Sequence, residues 1–452
     1  MSLIYKKLNY INPQDIFEVA ADRFGTIFLD SNMFHEHYGR YSYIVINPVH
    51  IYSATTQSNI TDEILGWQEL FADNLQSNND SLPPFTGGLV GFLSYDLGKQ
   101  FEFITTNNSR SVPDYCFGLY NQIFAFDLFT KSCYLIVAPI NGFGLDYDSQ
   151  LNNMLTIYNK ALDKNLFHQR SINQITLPSI QLKSNFTKNN YIKKVNKAIQ
   201  YIYDGDIFEI NLAQCFSSKV PVNYPCSALY HKLRHINPAP FSAYLNFGEL
   251  MIMSASPERF ISINNGKVEA RPIKGTAKRG LNDEEDLNLA NRLKNSEKDI
   301  AENIMIVDLM RNDLSQICTP ASVSVSQLCE VESFTNIHHL VSVINGKLSN
   351  NASIFDIIPK CFPGGSITGA PKIRAMQIID ELEQTNRGVY CGSIGYFGFN
   401  GNVDLSIAIR TIIKHGTDLR FYVGGAITLD SNAEDEYNET LLKGQKLSEI
   451  FT

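Results

Sequence analysis

The sequence has no apolar stretch long enough to cross a bilayer. Its longest apolar runs, residues 134–140 and 304–307, are far shorter than the ~20 residues that a spanning helix needs. The first residues, 1–12, are polar and lack the apolar core of a secretory signal. These features predict a cytoplasmic protein that does not enter a membrane.

Cysteine pairs and basic runs are missing as well. The eight cysteines are scattered, with no CxxC pair and no Cys/His cluster, which predicts reduced, buried thiols and excludes a disulfide framework or a zinc site. No Lys/Arg-rich run occurs and the formal net charge is -8, so nucleic acid is not an expected partner. A protein of this charge must gather positive charge locally to bind an anionic metabolite.

The chain has 452 residues, of which 44% are hydrophobic and 19% charged, as in a soluble globular protein with a large core. The stretch 141–188 is polar and contains Gly142 and Gly144. It predicts a seam between an N-terminal region, 1–185, and a C-terminal region, 186–452. We expect the two regions to be interleaved in one compact unit.

Strand-like and helical runs do not alternate regularly, and the hairpin signals Asn265-Gly266 and Asn400-Gly401 recur. This pattern favours an antiparallel α+β fold over a doubly wound parallel sheet. The predicted strands are 26–29, 41–46, 87–92, 122–127, 133–138, 242–247, 250–254, 260–263, 267–272, 391–399 and 420–429. The predicted helices are 64–70, 148–166, 191–204, 283–294, 299–314, 372–383 and 433–451.

A glycine-rich segment, PGGSITGAPK at 363–372, precedes a predicted helix. Its glycines, with Ser366 and Thr368, allow backbone amides to approach a carboxylate or phosphate closely. It is not a Walker A loop, because Ala370 occupies the place of the P-loop lysine. A tight turn into a helix explains the composition equally well.

Two segments offer groups for covalent and acid–base chemistry. In ARPIKGT, Lys274 lies between Ile273 and Gly275. Loss of hydration there would lower the pKa of its ammonium and free a nucleophilic amine. In SASPERF, Glu258 follows a proline at a turn, where a carboxyl can serve as acid or base. The alternatives are a surface lysine at a strand end and a surface-turn glutamate paired with Arg259 or Lys267.

Acidic side chains on two predicted helices are candidate metal ligands. Glu436, Glu439 and Lys443 share one face of the C-terminal helix, and Glu302 lies on an earlier helix. Carboxylates from separate helices, completed by water and substrate, commonly hold Mg²⁺. The alternatives are a solvated charged stripe and a capping box closed by Glu302.

Two further polar sites lie beside strand-like runs. His338 and His339 are adjacent, so on a strand they would point to opposite faces, one as a proton carrier and one as packing. Arg410 ends the run DLSIAIRT among apolar neighbours and needs an anionic partner. That partner is either a ligand carboxylate or a structural Asp or Glu.

Taken in order, these segments resemble the motif series of the chorismate-utilising enzymes. The resemblance spans residue 186 to the C-terminus, with weaker similarity in FLDS (28–31) and GRYSYI (39–44). The segments that carry it are SASPERF, RPIKGT, AENIMIVDLMRNDL, IHHLVS, PGGSITGAPKIRAM, YCGSIGYF, SIAIRT and EYNETLLK. The resemblance implies two antiparallel β-sheets packed face to face, with helices outside and the active site between the sheets.

Lys274 selects the branch of the family, since members that make anthranilate typically have PIAGT instead of PIKGT. The resemblance implies that Lys274 attacks C2 of chorismate while the C4 hydroxyl leaves with help from Glu258. Ammonia then attacks C4 and expels the lysine, giving 4-amino-4-deoxychorismate for para-aminobenzoate and folate synthesis, an amino-group transfer. The alternatives are anthranilate formation, a non-catalytic tryptophan or chorismate sensor, and a lysine Schiff-base lyase.

The resemblance also implies the remaining site residues. Mg²⁺ is expected on Glu302 and Glu439, with Glu436 nearby through water, and His339 is expected beside the reacting ring. The expected substrate contacts are Gly365, Ser366, Thr368, Tyr390, Arg410, Gly424, Gly425 and Lys443. Mg²⁺, Arg410 and Lys443 would supply the local positive charge that binding of the chorismate dianion requires.

The resemblance finally implies a protein partner and a second ligand. Family members take ammonia from a glutaminase, and no GxCxGHQ-like segment occurs in this sequence, so a separate glutaminase subunit is the expected partner. Many members also bind tryptophan in the N-terminal half. The residues expected to do so are Ser31, Tyr38, Gly39, Arg40, Tyr41, Pro240, Phe241 and Ser242.

Overall fold

Two large antiparallel sheets form the centre of the molecule. The structure, a computed structural model, describes residues 3–33, 38–54, 59–106, 108, 110–164, 177–334 and 337–451. Within these residues all strand pairs are antiparallel, as the sequence predicts.

The first sheet has 12 strands and the second has 10. The first contains β1 (Ile4–Leu8), β2 (Ile27–Asp30), β3 (Tyr41–Ile46), β7 (Gln122–Asp127), β8 (Ser132–Val137), β9 (Lys183–Ser184), β10 (Glu209–Lys219), β11 (Phe241–Phe247), β12 (Leu250–Ser256), β18 (Gly369–Ala370), β21 (Thr411–His415) and β22 (Asp418–Ile427). The second contains β4 (His50–Ala54), β5 (Gly88–Leu93), β6 (Tyr115–Tyr120), β13 (Arg259–Asn264), β14 (Lys267–Ala270), β15 (Ile273–Lys278), β16 (Ser324–Ser333), β17 (Ile337–Lys347), β19 (Ser393–Gly398) and β20 (Val403–Ile407).

The sheets bury apolar faces against each other. Ile27 and Val45 of the first sheet share one buried cluster with Val90, Phe92 and Ile394 of the second. Burying apolar surface of this kind stabilises the folded state by about 25 cal/mol per Å². The predicted face-to-face packing of two sheets is therefore confirmed.

Helices cover the outer faces. They are α1 (Pro13–Ala20), α2 (Ile60–Asp73), α3 (Gly98–Phe101), α4 (Tyr147–Lys164), α5 (Lys188–Tyr203), α6 (Cys226–Ile236), α7 (Asp283–Lys294), α8 (Glu297–Ser315), α9 (Ile357–Cys361), α10 (Lys372–Glu383) and α11 (Ala433–Ser448). On the first sheet, Ile16 of α1, Met154 of α4 and Leu229 of α6 pack in one buried cluster. No helix in the described ranges is both long and apolar enough to cross a membrane.

Strands from both sides of residue 185 lie next to each other in each sheet. β2 pairs with β11 in the first sheet, and β5 pairs with β19 in the second. The chain therefore crosses between the sheets many times. The division into 1–185 and 186–452 stays a prediction.

Several predicted elements differ from the structure. β10, β15 and β16 were not predicted as strands, although Lys274 lies on β15. The strand expected at His338 and His339 is β17, which includes both histidines. On β10 and β15, the buried polar side chains of Glu209 and Lys274 interrupt the alternation of apolar and polar residues. The last two residues of the predicted helix 148–166 lie outside the described residues.

Candidate active site

Lys274 is buried in the cleft between the sheets, on β15. Its residue is 8% exposed, and its Nζ lies 2.5 Å from Oε1 of Glu209 on β10 of the opposite sheet. The surface-lysine alternative is therefore wrong. Burial lowers the pKa of Lys274, but the ion pair with Glu209 and the nearby charges of Glu302 and Glu258 outweigh it and raise the pKa above its usual range.

This result corrects the predicted direction of the Lys274 pKa. The sequence shows only the apolar neighbours of the lysine, which would favour the neutral amine. The structure adds an acidic partner from a strand 65 residues away in the chain. In the absence of substrate, Lys274 is therefore an ammonium ion held by Glu209.

Glu258 is buried beside the lysine rather than lying at a surface turn. Ser366 Oγ donates a hydrogen bond to Glu258 Oε1 at 2.8 Å. Burial raises the pKa of Glu258 to about 7, although the Ser366 bond and the Lys274 charge pull it down. Arg259, the predicted alternative partner, instead bonds Asp404 and Glu269. At neutral pH, Glu258 can both give and take a proton.

The glycine-rich segment forms a short turn that presents Ser366 to Glu258 and then pairs, as β18, with β10. Thr368, predicted as a substrate contact, instead ties this loop together. Its hydroxyl donates to the carbonyls of Gly364 and Gly365, and its amide bonds Gly365 as well. The segment thus holds the carboxyl group of Glu258 through Ser366. The prediction that it binds a carboxylate or phosphate did not include this role.

The two adjacent histidines point apart, as expected of neighbours on a strand. His338 is buried between Ser333 and Asp286, with contacts of 2.8 and 3.0 Å, and is the packing member. His339 Nδ1 lies 3.0 Å from Thr276 Oγ1. Burial and the charge of Arg410 lower the pKa of His339 to about 4, so its ring is neutral at physiological pH.

Arg410 has no ion-pair or hydrogen-bond partner for its guanidinium within the part of the chain that is described. Burial lowers its pKa, and no neighbouring acid offsets that effect. The backbone just before Arg410 is hydrogen-bonded to the backbone just after Tyr390, because the Cys391 amide donates to the Ala408 carbonyl. No Asp or Glu among the described residues pairs with Arg410, so the alternative of a structural acidic partner has no support there. Arg410 is therefore suited to bind an anionic ligand.

Gly424 and Gly425 of β22 lie under the C-terminal helix. A Cβ at Gly425 would be 3.4 Å from Glu436 Oε2, 3.6 Å from Glu439 Oε1 and 3.8 Å from Lys443 Nζ. Lys443 Nζ also bonds the Gly424 carbonyl at 3.2 Å. The structure therefore brings these five predicted residues together around one small space.

The three predicted metal ligands differ in their surroundings. Burial raises the pKa of Glu302, against the charge of Lys274, and it raises the pKa of Glu436, against a hydrogen bond from Ser431. Glu439 is half exposed and pairs with Lys443 at 2.6 Å. Ser296, and not a box closed by Glu302, caps α8. Glu302 is therefore free of a capping role.

These residues fit Mg²⁺ by their chemistry. The ion takes carboxylate oxygens together with water and substrate oxygens, and it is often held by only one or two protein carboxylates. Within the described ranges, no three His, Cys, Asp or Glu side chains are already grouped as a metal site. Glu302 is largely buried, and Glu436 and Glu439 both approach Gly425, so this set of carboxylates fits a site that substrate completes.

A cavity of about 540 Å³ is lined by residues of both sheets, including Arg259. All eight residues predicted to bind tryptophan line it: Ser31, Tyr38, Gly39, Arg40, Tyr41, Pro240, Phe241 and Ser242. The rings of Tyr38 and Phe241 stack with centroids 5.9 Å apart. Arg40 is bound to Asp127, and therefore its charge is already matched.

Sequence reasoning missed Glu209, Thr276 and Lys298. Glu209 is a lone acid at the start of the alternating segment EINLAQCF, and a carboxylate there is a signal that could have been noticed. Thr276 and Lys298 carry no comparable signal, because a threonine on a strand and a lysine on a helix are ordinary.

Comparison with known proteins gives a consistent result. The family model for "chorismate binding enzyme" matches residues 30–449. Aminodeoxychorismate synthase component 1 of Salmonella typhimurium is 39% identical over 82% of this chain and 80% of its own length. The crystal structure of anthranilate synthase component I from Streptococcus pneumoniae is 31% identical, with a TM-score of 0.78 over 90% of this chain and 92% of that one.

Some relatives are much longer. The chain is 40% identical to the chloroplastic aminodeoxychorismate synthase of Arabidopsis thaliana over 79% of its own length. It spans 40% of the length of that protein and 47% of the length of a probable chloroplastic aminodeoxychorismate synthase of Oryza sativa. The family model nevertheless matches nearly the whole sequence, and the chain therefore belongs to the family of chorismate-binding enzymes.

Proposed function

We propose that the chain is the chorismate-aminating component of an aminodeoxychorismate synthase. Lys274, buried between Glu258 and Glu209, carries this proposal because it places an amine nucleophile and a proton donor in one cleft. The Salmonella typhimurium relative bears that name. Ammonia would come from a separate glutaminase subunit, and the product would be 4-amino-4-deoxychorismate.

The proposed reaction has two displacements. The Lys274 amine forms a bond to C2 of chorismate, the ring double bond shifts, and the C4–O bond breaks. Glu258 donates its proton to the departing oxygen, which leaves as water. Ammonia then bonds to C4, the double bond shifts back, and the C2–N bond to Lys274 breaks. Glu258 takes the surplus proton from the new amino group.

The other residues would position the substrate. The guanidinium of Arg410 and the Tyr390 segment would hold one carboxylate, and Lys443 with the two glycines of β22 would hold the other. Mg²⁺ on Glu302, Glu436 and Glu439 would withdraw charge from the ring carboxylate when bound. His339, neutral at physiological pH, would offer a hydrogen bond to the ring region without adding charge.

Product identity tests the proposal. The protein is incubated with chorismate, Mg²⁺ and ammonium, and the products are separated by chromatography. We expect 4-amino-4-deoxychorismate and no pyruvate. Fluorescent anthranilate with an equal amount of pyruvate would instead assign the activity named for the Streptococcus pneumoniae relative and reject the proposal.

A pH profile tests the role of Glu258. Its carboxyl must be protonated to donate to the leaving oxygen, and its pKa is raised to about 7. We therefore expect the rate of covalent adduct formation to fall as pH rises above that value, measured by intact-protein mass over roughly pH 6 to 9.

Ser366→Ala provides the matched variant for this profile. The Ser366 hydrogen bond stabilises the ionised Glu258, so its removal should move the fall in rate to higher pH. A profile that is identical in the parent protein and in Ser366→Ala would assign the ionisation to another group.

We also propose that the cavity lined by Tyr38 and Phe241 binds tryptophan. Its two stacked rings and its polar rim suit an aromatic amino acid. Calorimetric titration with tryptophan tests this, and Phe241→Ala should weaken the binding. Heat of binding that is unchanged by the substitution would place the ligand elsewhere.

A further inference from the structure

The buried ion pair of Lys274 raises a chemical question about the proposed reaction. An ammonium nitrogen has no lone pair, so Lys274 must lose a proton before it can attack C2. The structure holds it as an ammonium, bonded to Glu209 at 2.5 Å. Some group in the cleft must therefore accept this proton when the substrate is bound and bulk water is displaced.

The surroundings of Nζ identify the acceptor. Glu209 is the one carboxylate that hydrogen-bonds Lys274 Nζ among the residues described. Glu258 is bonded to Ser366 and has a pKa raised to about 7, which suits it to donate a proton to the leaving group. Glu302 is only electrostatically coupled to Lys274 and is 3.9 Å from Lys298.

The backbone fixes Glu209 in this position. Glu209 begins β10 and is paired with Ala370 of β18, while Ile210 is paired with Gly369. A Cβ at Gly369 would lie 2.2 Å from the Glu209 carbonyl, so only glycine permits this approach. The turn that positions Ser366 on Glu258 thus also anchors the strand that carries Glu209.

The carboxylate of Glu209 is itself incompletely satisfied. The residue is 1% exposed, and its Oε2 is buried without a hydrogen-bond partner in the described part of the chain. Among the described residues, Lys274 Nζ is thus the one hydrogen-bond donor to this carboxylate, and no other donor competes for it. This is a suitable environment for a base that acts on a single neighbouring proton.

We propose that Glu209 is the general base that accepts the proton of Lys274 when chorismate occupies the cleft. This role rests on the proposed function. The N–H bond of the ammonium breaks, its electron pair stays on Nζ, and the proton bonds to Oε1 of Glu209, leaving a neutral amine and a neutral carboxylic acid. After ammonia has expelled the lysine from C2, the amine takes the proton back and the ion pair is restored.

Glu209→Gln tests this role. Glutamine has the same size and keeps a hydrogen bond to Nζ, but it cannot accept the proton. With chorismate and Mg²⁺ and without ammonia, we expect adduct formation on Lys274 to slow by about 10²-fold near pH 7, the range for general-base catalysis. Below about pH 7, where Glu258 stays protonated, its rate should also rise with pH, because solvent must then remove the proton. Intact-protein mass against time gives both readouts.

The opposite result has a clear meaning. If Glu209 served only to hold Lys274 as an ammonium, removing its charge would release the amine, and the variant would form the adduct as fast as the parent or faster. That outcome would overturn the base role while leaving the proposed function intact. A parent protein that forms no adduct on Lys274 would overturn both.

Glu209→Asp covers the case in which the glutamine variant does not fold. Aspartate keeps the charge of the buried pair but withdraws the carboxylate by one methylene. We expect adduct formation to slow by roughly tenfold relative to the parent, so that Glu209→Asp is faster than Glu209→Gln. Adduct formation at the parent rate in Glu209→Asp would show that direct contact with Nζ is unnecessary, and would equally contradict the base role.

Discussion

We expect a Lys274→Ala variant to form no chorismate adduct, because the covalent nucleophile is removed. The rate of amination should fall by on the order of 10³-fold or more. The methyl group of alanine cannot bond to C2, and ammonia must then displace the hydroxyl without the intermediate. Mass spectrometry of the intact protein with chorismate and no ammonia measures the first effect. Product formation with ammonium measures the second.

Lys294→Ala is the matched control for this loss. Lys294 also pairs with a glutamate, Glu330, at 2.8 Å, but both side chains are half exposed and lie outside the cleft. This variant should form the adduct at the parent rate. If Lys274→Ala made 4-amino-4-deoxychorismate as fast as the parent, the covalent route would be wrong. An adduct mapped to a peptide other than PIKGT would move the nucleophile elsewhere.

The antiparallel α+β class and many elements could be predicted because they depend on local pattern. β3, β7, α7 and α10 have the predicted bounds. Their hydrophobic periodicity and capping signals are contained in the segments themselves. Strand β15 was missed because its Lys274 is polar and yet buried, so the strand lacks the apolar–polar alternation that marks a strand packed on a core.

The candidate site could likewise be predicted only in part from the sequence. Sequence motifs marked Lys274, Glu258 and Arg410, and the structure brings the first two together. The protonation state of Lys274 could not be predicted, because Glu209 reaches it from the other sheet through β-pairing with the glycine-rich segment. A pKa depends on every charge within a few ångströms, and those neighbours come from distant parts of the chain.

Glu302→Ala should weaken the response to Mg²⁺ while leaving the fold intact. Glu302 is largely buried within the cleft, and its carboxylate faces Lys274 and Lys298. Losing one of few protein ligands lowers the metal affinity, and we expect activity at limiting Mg²⁺ to fall by about 10² to 10³-fold, the several kcal/mol that a metal supplies. Electron paramagnetic resonance with Mn²⁺ in place of Mg²⁺ measures the affinity independently of activity.

Glu297→Ala is the control, because Glu297 lies in the first turn of the same helix and is exposed. It should bind Mn²⁺ as the parent does. Unchanged Mn²⁺ binding together with full activity would remove Glu302 from the metal site.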